Sequence, residues 1–253
     1  MNSYNISLLV FAVVFGGALL GILLKAILPE THLNSESREI VKLSIGLIAT
    51  MTALVLGLLV SSVKSSFDGK NEEYNRICSN LVILDRTLAQ YGPESAPIRM
   101  RLKLAVTARS EQLTDRTGDR VTKADAYTNM IALEQLQEGI RALQPANDGQ
   151  KELKARALSV STLIIAERWH LLGGVASAVP KPFLFMVVVW LAIIFLSFGL
   201  YAPRNTTVLA ALVLAAISVA GALFLILEMD RPFDGIIHLS NAPLRNAAEF
   251  IGK

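Results

Sequence analysis

One cysteine, three histidines and little charge leave this chain few places for chemistry. With Cys78 alone no disulfide can form within the chain, which fits a reducing compartment. His32, His170 and His238 lie far apart in sequence, and none has a second ligand at i, i+4. No cysteine pair, nucleophile elbow, phosphate-binding loop or dinucleotide-binding glycine motif occurs. We therefore expect no catalytic residue, no metal, no cofactor and no enzymatic role. Charged residues make up 18% of the chain and hydrophobic ones 53%, against about 25% and about 45–50% in an ordinary soluble domain. That balance excludes an intrinsically disordered chain. A mean hydropathy of +0.48 also excludes a single soluble globule.

The apolar residues are gathered in four runs, 6–28, 40–63, 183–200 and 206–227. A bilayer core of roughly 30 Å needs about 20 apolar residues in a helix, so each run can span. The first has no small-residue cleavage site after it and is longer than a usual signal-peptide core, so it is expected to be retained. Lys25, near its end, is placed to snorkel toward headgroups. The last two runs are separated by the short turn 201–205, which contains Pro203. The expected fold is an all-α membrane protein, four transmembrane helices with a helical cytoplasmic domain inserted between spans two and three. Its divisions are 1–63 for spans one and two, 64–182 for the inserted domain, 183–228 for spans three and four, and 229–253 for a C-terminal tail.

Four spans put both termini and the insert on one face. Lys64, Lys70, Arg76, Arg168, Lys181, Arg231 and Arg245 lie near span ends on that face, against Lys25, Arg38, Lys42 and Arg204 on the other. The excess makes the insert and both termini cytoplasmic in a multi-pass protein. The insert carries 17 Lys and Arg against 14 Asp and Glu, interspersed rather than blocked. It has no concentrated basic stripe, so nucleic acid is not an expected partner.

The insert reads as helices without a sheet, since nowhere does it alternate apolar and polar residues at a period of two. Tyr74, Ile77, Cys78, Leu81, Leu84, Leu88 and Tyr91 are spaced in threes and fours, one stripe on a helix. No proline interrupts 40–91, so span two is expected to continue as one rod of about 75 Å, with Gly69 its weak point and Gly92-Pro93 its end. Pro97 opens a further helix to about Thr117, stopped by Gly118. A third fits 123–143, buried through Tyr127, Met130, Ile131, Leu133, Leu136, Ile140 and Leu143. A fourth begins near Lys151 and buries Leu153, Ala157, Val160, Ile164 and Leu171.

The second span is the most informative. Ala49, Ala53, Gly57 and Ser61 recur every four residues, and Gly46, Thr50 and Ser62 widen that face. Two readings stand. Small residues let helix backbones approach in lipid, where no hydrophobic effect drives association. They also suit a narrow conduit, with Leu54 or Leu58 as dewetting constrictions. Gly17-x-x-x-Gly21 in the first span is a helix-contact pattern, and Ala211, Ala215, Ala216, Ala220 and Gly221 suit tight packing of the fourth. The third span, with Phe183, Phe185, Trp190, Phe195 and Phe198, is expected to face lipid.

Where the fourth span ends, the chain reads Leu227-Glu228-Met229-Asp230-Arg231-Pro232-Phe233-Asp234-Gly235. The plain reading is an interfacial stop, with Arg231 pairing Asp230 or Asp234 and Pro232 ending the helix. The alternative makes Glu228, Asp230 and Asp234 a cation-attracting mouth where several subunits meet. At the other end Glu30, His32, Glu36 and Glu39 read as a solvated loop or an outer vestibule.

That tail, with Asp230, Pro232, Phe233 and Gly235 filling an Asp-x-Pro-Phe-x-Gly signature, resembles the bacterial bestrophin-like membrane family. The glycine-bearing second span followed by the 74–91 helix is similar to it as well. The resemblance implies a bacterial inner-membrane protein related in layout to the bestrophins, oligomeric anion channels with four spans per subunit and a helical cytoplasmic region. This chain departs from them in lacking an aromatic-rich neck in the second span, and its acidic exit points to cations instead.

Two functions remain open. In one, a homo-oligomer in the lipid bilayer conducts an ion through a pore lined by Gly46, Ala49, Thr50, Ala53, Leu54, Gly57, Leu58 and Ser61, weakly favouring cations; the sequence does not name the permeant ion. In the other, the chain is a membrane-anchored sensor or scaffold whose helical domain docks a cytoplasmic partner. A transporter with inverted repeats and broken helices has no support in the sequence.

Overall fold

The computed structural model describes residues 3–29, 35–115, 123–173, 179–203, 205–231 and 236–253. Among them there is no strand. The described residues form eight α-helices: α1 (Ser3–Ile27), α2 (Ser35–Tyr91), α3 (Ala96–Asp115), α4 (Lys123–Ala142), α5 (Asp148–Gly173), α6 (Lys181–Tyr201), α7 (Thr206–Met229) and α8 (Ala242–Phe250). Four of them, α1, α2, α6 and α7, are long and apolar enough to cross a membrane. The protein is a multi-pass membrane protein.

The residues cluster into two compact units. The first comprises 1–66 and 177–230, and the second 67–176 and 231–253. Helix α2 contributes to both. It contains no proline, and Gly69 does not interrupt it, so backbone hydrogen bonding continues from an apolar to a polar sequence. Gly92 ends it with φ +127°, a conformation that glycine alone adopts without strain, and Pro93 opens a short 3₁₀ turn, Pro93–Ser95.

In the first unit α1 packs chiefly along α6 and secondarily along α7. Their common core includes Val10, Val14, Ala18, Val187, Leu191, Phe195, Ala216 and Leu223. The helices touch through glycine. A Cβ at Gly17 would stand 2.8 Å from the carbonyl oxygen of Ala192, one at Gly21 would collide with the carbonyl of Leu196, and one at Gly199 with that of Ala18. The Gly17-x-x-x-Gly21 pattern thus has its partner within the chain, on α6. The third span, expected to face lipid, is divided: Val187, Leu191, Ile194 and Phe195 are buried, while Phe183, Phe185, Met186, Ile193 and Phe198 are exposed. The aromatic letters hid the small ones, Ala192 and Gly199, that allow the backbone approach. In α7 the small residues divide. Ala216 and Ala220 are buried, whereas Ala211, Ala215 and Gly221 face outward.

One end of this unit is tied by polar contacts. Lys25 Nζ donates to the carbonyl oxygen of Ala202 at 2.7 Å, satisfying the end of α6 rather than reaching away from the protein. The Arg38 guanidinium lies over the Tyr201 ring, 5.2 Å from its centroid. Asn205 caps α7, its side chain accepting from the Val208 amide at 2.8 Å.

The second unit is a helical bundle around Leu84, Leu88, Leu102, Ile140, Ile164 and Ile251. All seven stripe residues of the 74–91 segment lie in or against this core. So do Leu133, Leu136, Ile140 and Leu143 of the third predicted helix and its downstream turn, and Leu153, Ala157, Val160, Ile164 and Leu171 of the fourth. Ile131 is exposed instead, and the side chains of Tyr127 and Met130 lie outside the described residues, as do Thr117 and Gly118. Pro97 sits one residue inside α3, the favoured place for proline in a first turn. Lys154 donates to the carbonyls of Arg141 and Leu143, both at 2.7 Å, closing the end of α4.

The C-terminal segment forms part of this bundle. Helix α8 packs on α3, and Leu244, Ala247 and Ile251 are buried at helical spacing.

Candidate functional site

The second-span face can now be placed. Helix α2 turns Thr52, Leu59 and Val63 into the first unit's interior, with Ile45, Ile48, Val55 and Leu56 partly buried beside them. At 3.6 residues per turn these share one side of the helix. Gly46, Thr50, Gly57 and Ser61 fall roughly opposite, Ala53 lies at the flank and Ala49 next to the packed side, and all six are exposed. Leu54 and Leu58 flank them and are also exposed, at 65% and 69%. A Cβ added at Gly46 or Gly57 would meet no atom within 4 Å. Of the four candidate spans, this one is the least buried. The two glycines of this face thus have no close neighbour among the described residues of their own chain.

One hydroxyl of this face is satisfied along the helix: Thr50 Oγ1 donates to the Gly46 carbonyl at 2.9 Å. An exposed hydroxyl held in this way costs nothing to leave facing lipid, a neighbouring helix or water.

The acidic exit of α7 is arranged differently. Glu228 is 5% exposed, so its side chain is withdrawn into the chain, and Asp230, the C-cap of α7, is half-buried. Both take part in polar interactions. Arg231 is half-buried beside them, while Pro232, Phe233, Asp234 and Gly235 lie outside the described residues. Of the opposite mouth, Glu39 is exposed; Glu30 and His32 and the side chain of Glu36 lie outside the described residues. Trp169 and His170 are both exposed, and neither anchors the core. No metal-binding cluster occurs among the described residues.

Sequence reasoning missed the most tightly built polar site of the second unit. Asp85 is fully buried on α2 and receives Arg99 bidentately, Nε to Oδ1 at 2.8 Å and Nη2 to Oδ2 at 3.1 Å. The amide of Gly252 also donates to Oδ2, at 3.1 Å. Gly252 has φ +83°, so a glycine fits this turn where another residue would be strained. Arg86 adds a contact from Nη2 to the carbonyl of Phe250 at 3.3 Å. One carboxylate therefore fastens α2, α3 and the C-terminus together. An aspartate inside an apolar stripe, at Leu84-Asp85, was the available signal.

Burial pushes the Asp85 carboxyl up, but the hydrogen bonds from Arg99 and Gly252, with the charges of Arg99 and Arg86, outweigh it and hold it below the usual carboxylate range. Because the folded value is depressed, the stability it supplies is complete above the unfolded value of about 3.9 and is lost as pH falls through the folded value. We expect protease cleavage between α8 and the C-terminus to be slow from pH 7 to about 4.5 and to accelerate below about 4. An acid-active protease followed by mass spectrometry measures this.

A model of the Bestrophin-like domain matches residues 10–244, nearly the whole chain. The chain belongs to the Bestrophin-like family. The match runs through all four apolar helices and the α3–α5 bundle, and it ends inside α8. No curated protein matches the chain, and no solved structure does.

Proposed function

We propose that this Bestrophin-like protein is an oligomeric ion channel in which several copies place the Gly46–Ala49–Ala53–Gly57–Ser61 face of α2 around a common axis. The observation that supports the reading is that the residues of this face are exposed in the single chain, and that a Cβ at Gly46 or Gly57 would meet no atom within 4 Å. A small-residue face left bare by its own subunit gains close contact only from another copy or from a narrow column of water and ions. Leu54 and Leu58 stand at its border, where aliphatic side chains constrict a conduit by dewetting. Gly46 lets neighbouring helices approach, and Thr50 and Ser61 supply hydroxyls. A cytoplasmic placement of the α3–α5 bundle and both termini follows from the excess of Lys and Arg on that side.

The weak cation preference rests on Asp230 and Asp234 at the exit of α7, since Glu228 is buried within the subunit. The work proposed is passage rather than chemistry.

Gly57→Leu tests the reading with little risk to the fold. The site is open in the single chain, and leucine favours a helix by roughly 1 kcal/mol over glycine. Under this proposal the variant purifies normally and its unitary or macroscopic conductance in reconstituted bilayers falls at least about tenfold. Unchanged flux with altered assembly supports the scaffold reading instead.

A further inference from the structure

We infer that the second unit binds a phosphate monoester group in a cleft between α2 and α5, held by Arg86 and Arg156 with Gln90 beside them. The inference stands apart from whether the protein conducts. The cleft has a volume of about 210 Å³ and is lined by Val82, Ile83, Arg86, Thr87 and Gln90 of α2 and by Arg156 of α5. The α2 residues share one side of the helix, because positions three and four apart lie one above another. Ile83, Arg86 and Gln90 are exposed there, as is Arg156 across from them.

Two guanidiniums thus line one cleft, and none of its described lining residues is acidic. Like charges facing one space repel, and an anion between them offsets both. Arg86 Nη2 donates to the Phe250 carbonyl at 3.3 Å, which holds the guanidinium in place but brings no countercharge. Arg156 makes no hydrogen bond or ion pair among the described residues. Asp85 precedes Arg86 in sequence, but it is fully buried and taken by Arg99 and the Gly252 amide. Glu152, one turn before Arg156, and Glu249, beside Phe250, are exposed and form an ion pair with neither arginine.

The chemistry of the lining selects the ligand. A phosphate monoester carries about −1.5 to −2 charges at pH 7 and three acceptor oxygens, matching two guanidiniums and the Gln90 amide. A carboxylate brings one charge, which a single guanidinium already satisfies. Val82 and Ile83 give an apolar wall to the carbon side of the ester. The Thr87 hydroxyl is already engaged, donating to the Ile83 carbonyl at 2.8 Å. A bound phosphate bridges α2 and α5.

Soluble phosphate monoesters and the headgroup of phosphatidic acid share this group. The test titrates full-length protein in neutral detergent with phenyl phosphate, benzoate or phosphatidic acid at constant ionic strength and reads thermal unfolding. We expect a saturable rise of roughly 3 °C or more with phenyl phosphate or phosphatidic acid, and none with benzoate. A response to phenyl phosphate assigns a soluble ester; phosphatidic acid acting alone assigns the headgroup. Arg156→Gln alters an exposed side chain, so it keeps the parent's melting temperature without ligand and loses the rise. Arg156→Lys keeps the charge but not the fork, and needs at least about fivefold more ligand. Arg101→Gln, at an exposed arginine of α3 outside the cleft, keeps the full rise. No saturable rise with either phosphate ligand overturns the inference. So do an equal rise with benzoate, a full rise retained in Arg156→Gln, and an equal loss in Arg101→Gln.

Discussion

Gly21→Val is expected to disrupt the membrane unit, while Gly16→Val, five residues earlier on the same helix, is expected to be nearly silent. A side chain at Gly21 meets the backbone carbonyl of Leu196, which cannot swing away as a flexible side chain would, and the Leu200 amide lies 2.7 Å from the same point. Relief requires α1 and α6 to separate along the contact that also carries Gly17 and Gly199. Overpacking a close-fitted site costs typically 1–3 kcal/mol, and a rigid backbone neighbour puts this one at the top of that range, about 3 kcal/mol. Gly16 faces open space, and a Cβ there meets nothing within 4 Å. Its substitution should stay within about 0.5 kcal/mol of the parent. Fluorescence-detected size exclusion after heating, read for both variants, gives the comparison. A lower melting temperature and an aggregated peak for Gly21→Val alone is the expected result.

The second large effect lies in the other unit. Asp85→Ala removes the acceptor for Arg99 and for the Gly252 amide at once, leaving a guanidinium whose side chain is only 22% exposed without its anion. Breaking a buried pair from one side costs about 3–5 kcal/mol, and the partial exposure of Arg99 argues for about 3. The loss should concentrate where the carboxylate fastens α8 and the C-terminus. Hydrogen exchange across 242–253 is expected to accelerate by at least about tenfold, while α4 changes little. Asp85→Asn keeps an acceptor oxygen and should fall between the two.

These two sites mark what the sequence disclosed and what it did not. Hydropathy located every span because the bilayer imposes a length on apolar helices, and the threes-and-fours spacing of Ile77, Leu81, Leu84 and Leu88 located the bundle core. Both signals are periodic and local. The partners of Gly17 and Gly21 were not legible, since Ala192 and Leu196 on α6 are scattered among phenylalanines and their relevance depends on which helix lies alongside. Asp85 was not legible either, because its partners Arg99 and Gly252 are 14 and 167 residues away. Helix α8 is too short, at nine residues, for periodicity to separate it from a loop.

The face of α2 is the intermediate case. Its small residues were visible as a four-residue repeat, but repetition alone is equally suited to packing and to lining a passage. The structure removed one version of the first reading, since Gly46 and Gly57 have no neighbour in their own chain. The acidic exit moved the other way, with Glu228 buried inside the subunit rather than presented at its surface.

Thiol accessibility during bilayer recording tests the central claim most directly. Cys78 is buried with its thiol pushed up to about 11, so the native cysteine gives little background reaction. Single cysteines are placed at Ala53 and Ser61 on the bare face, and at Leu59 on the packed one, in the purified and reconstituted protein. The account predicts a measurable conductance that a charged, water-soluble thiol reagent blocks in Ala53→Cys and Ser61→Cys and leaves intact in Leu59→Cys. Absence of any conductance from the pure oligomer, or current untouched by the reagent at both bare-face positions, would contradict it.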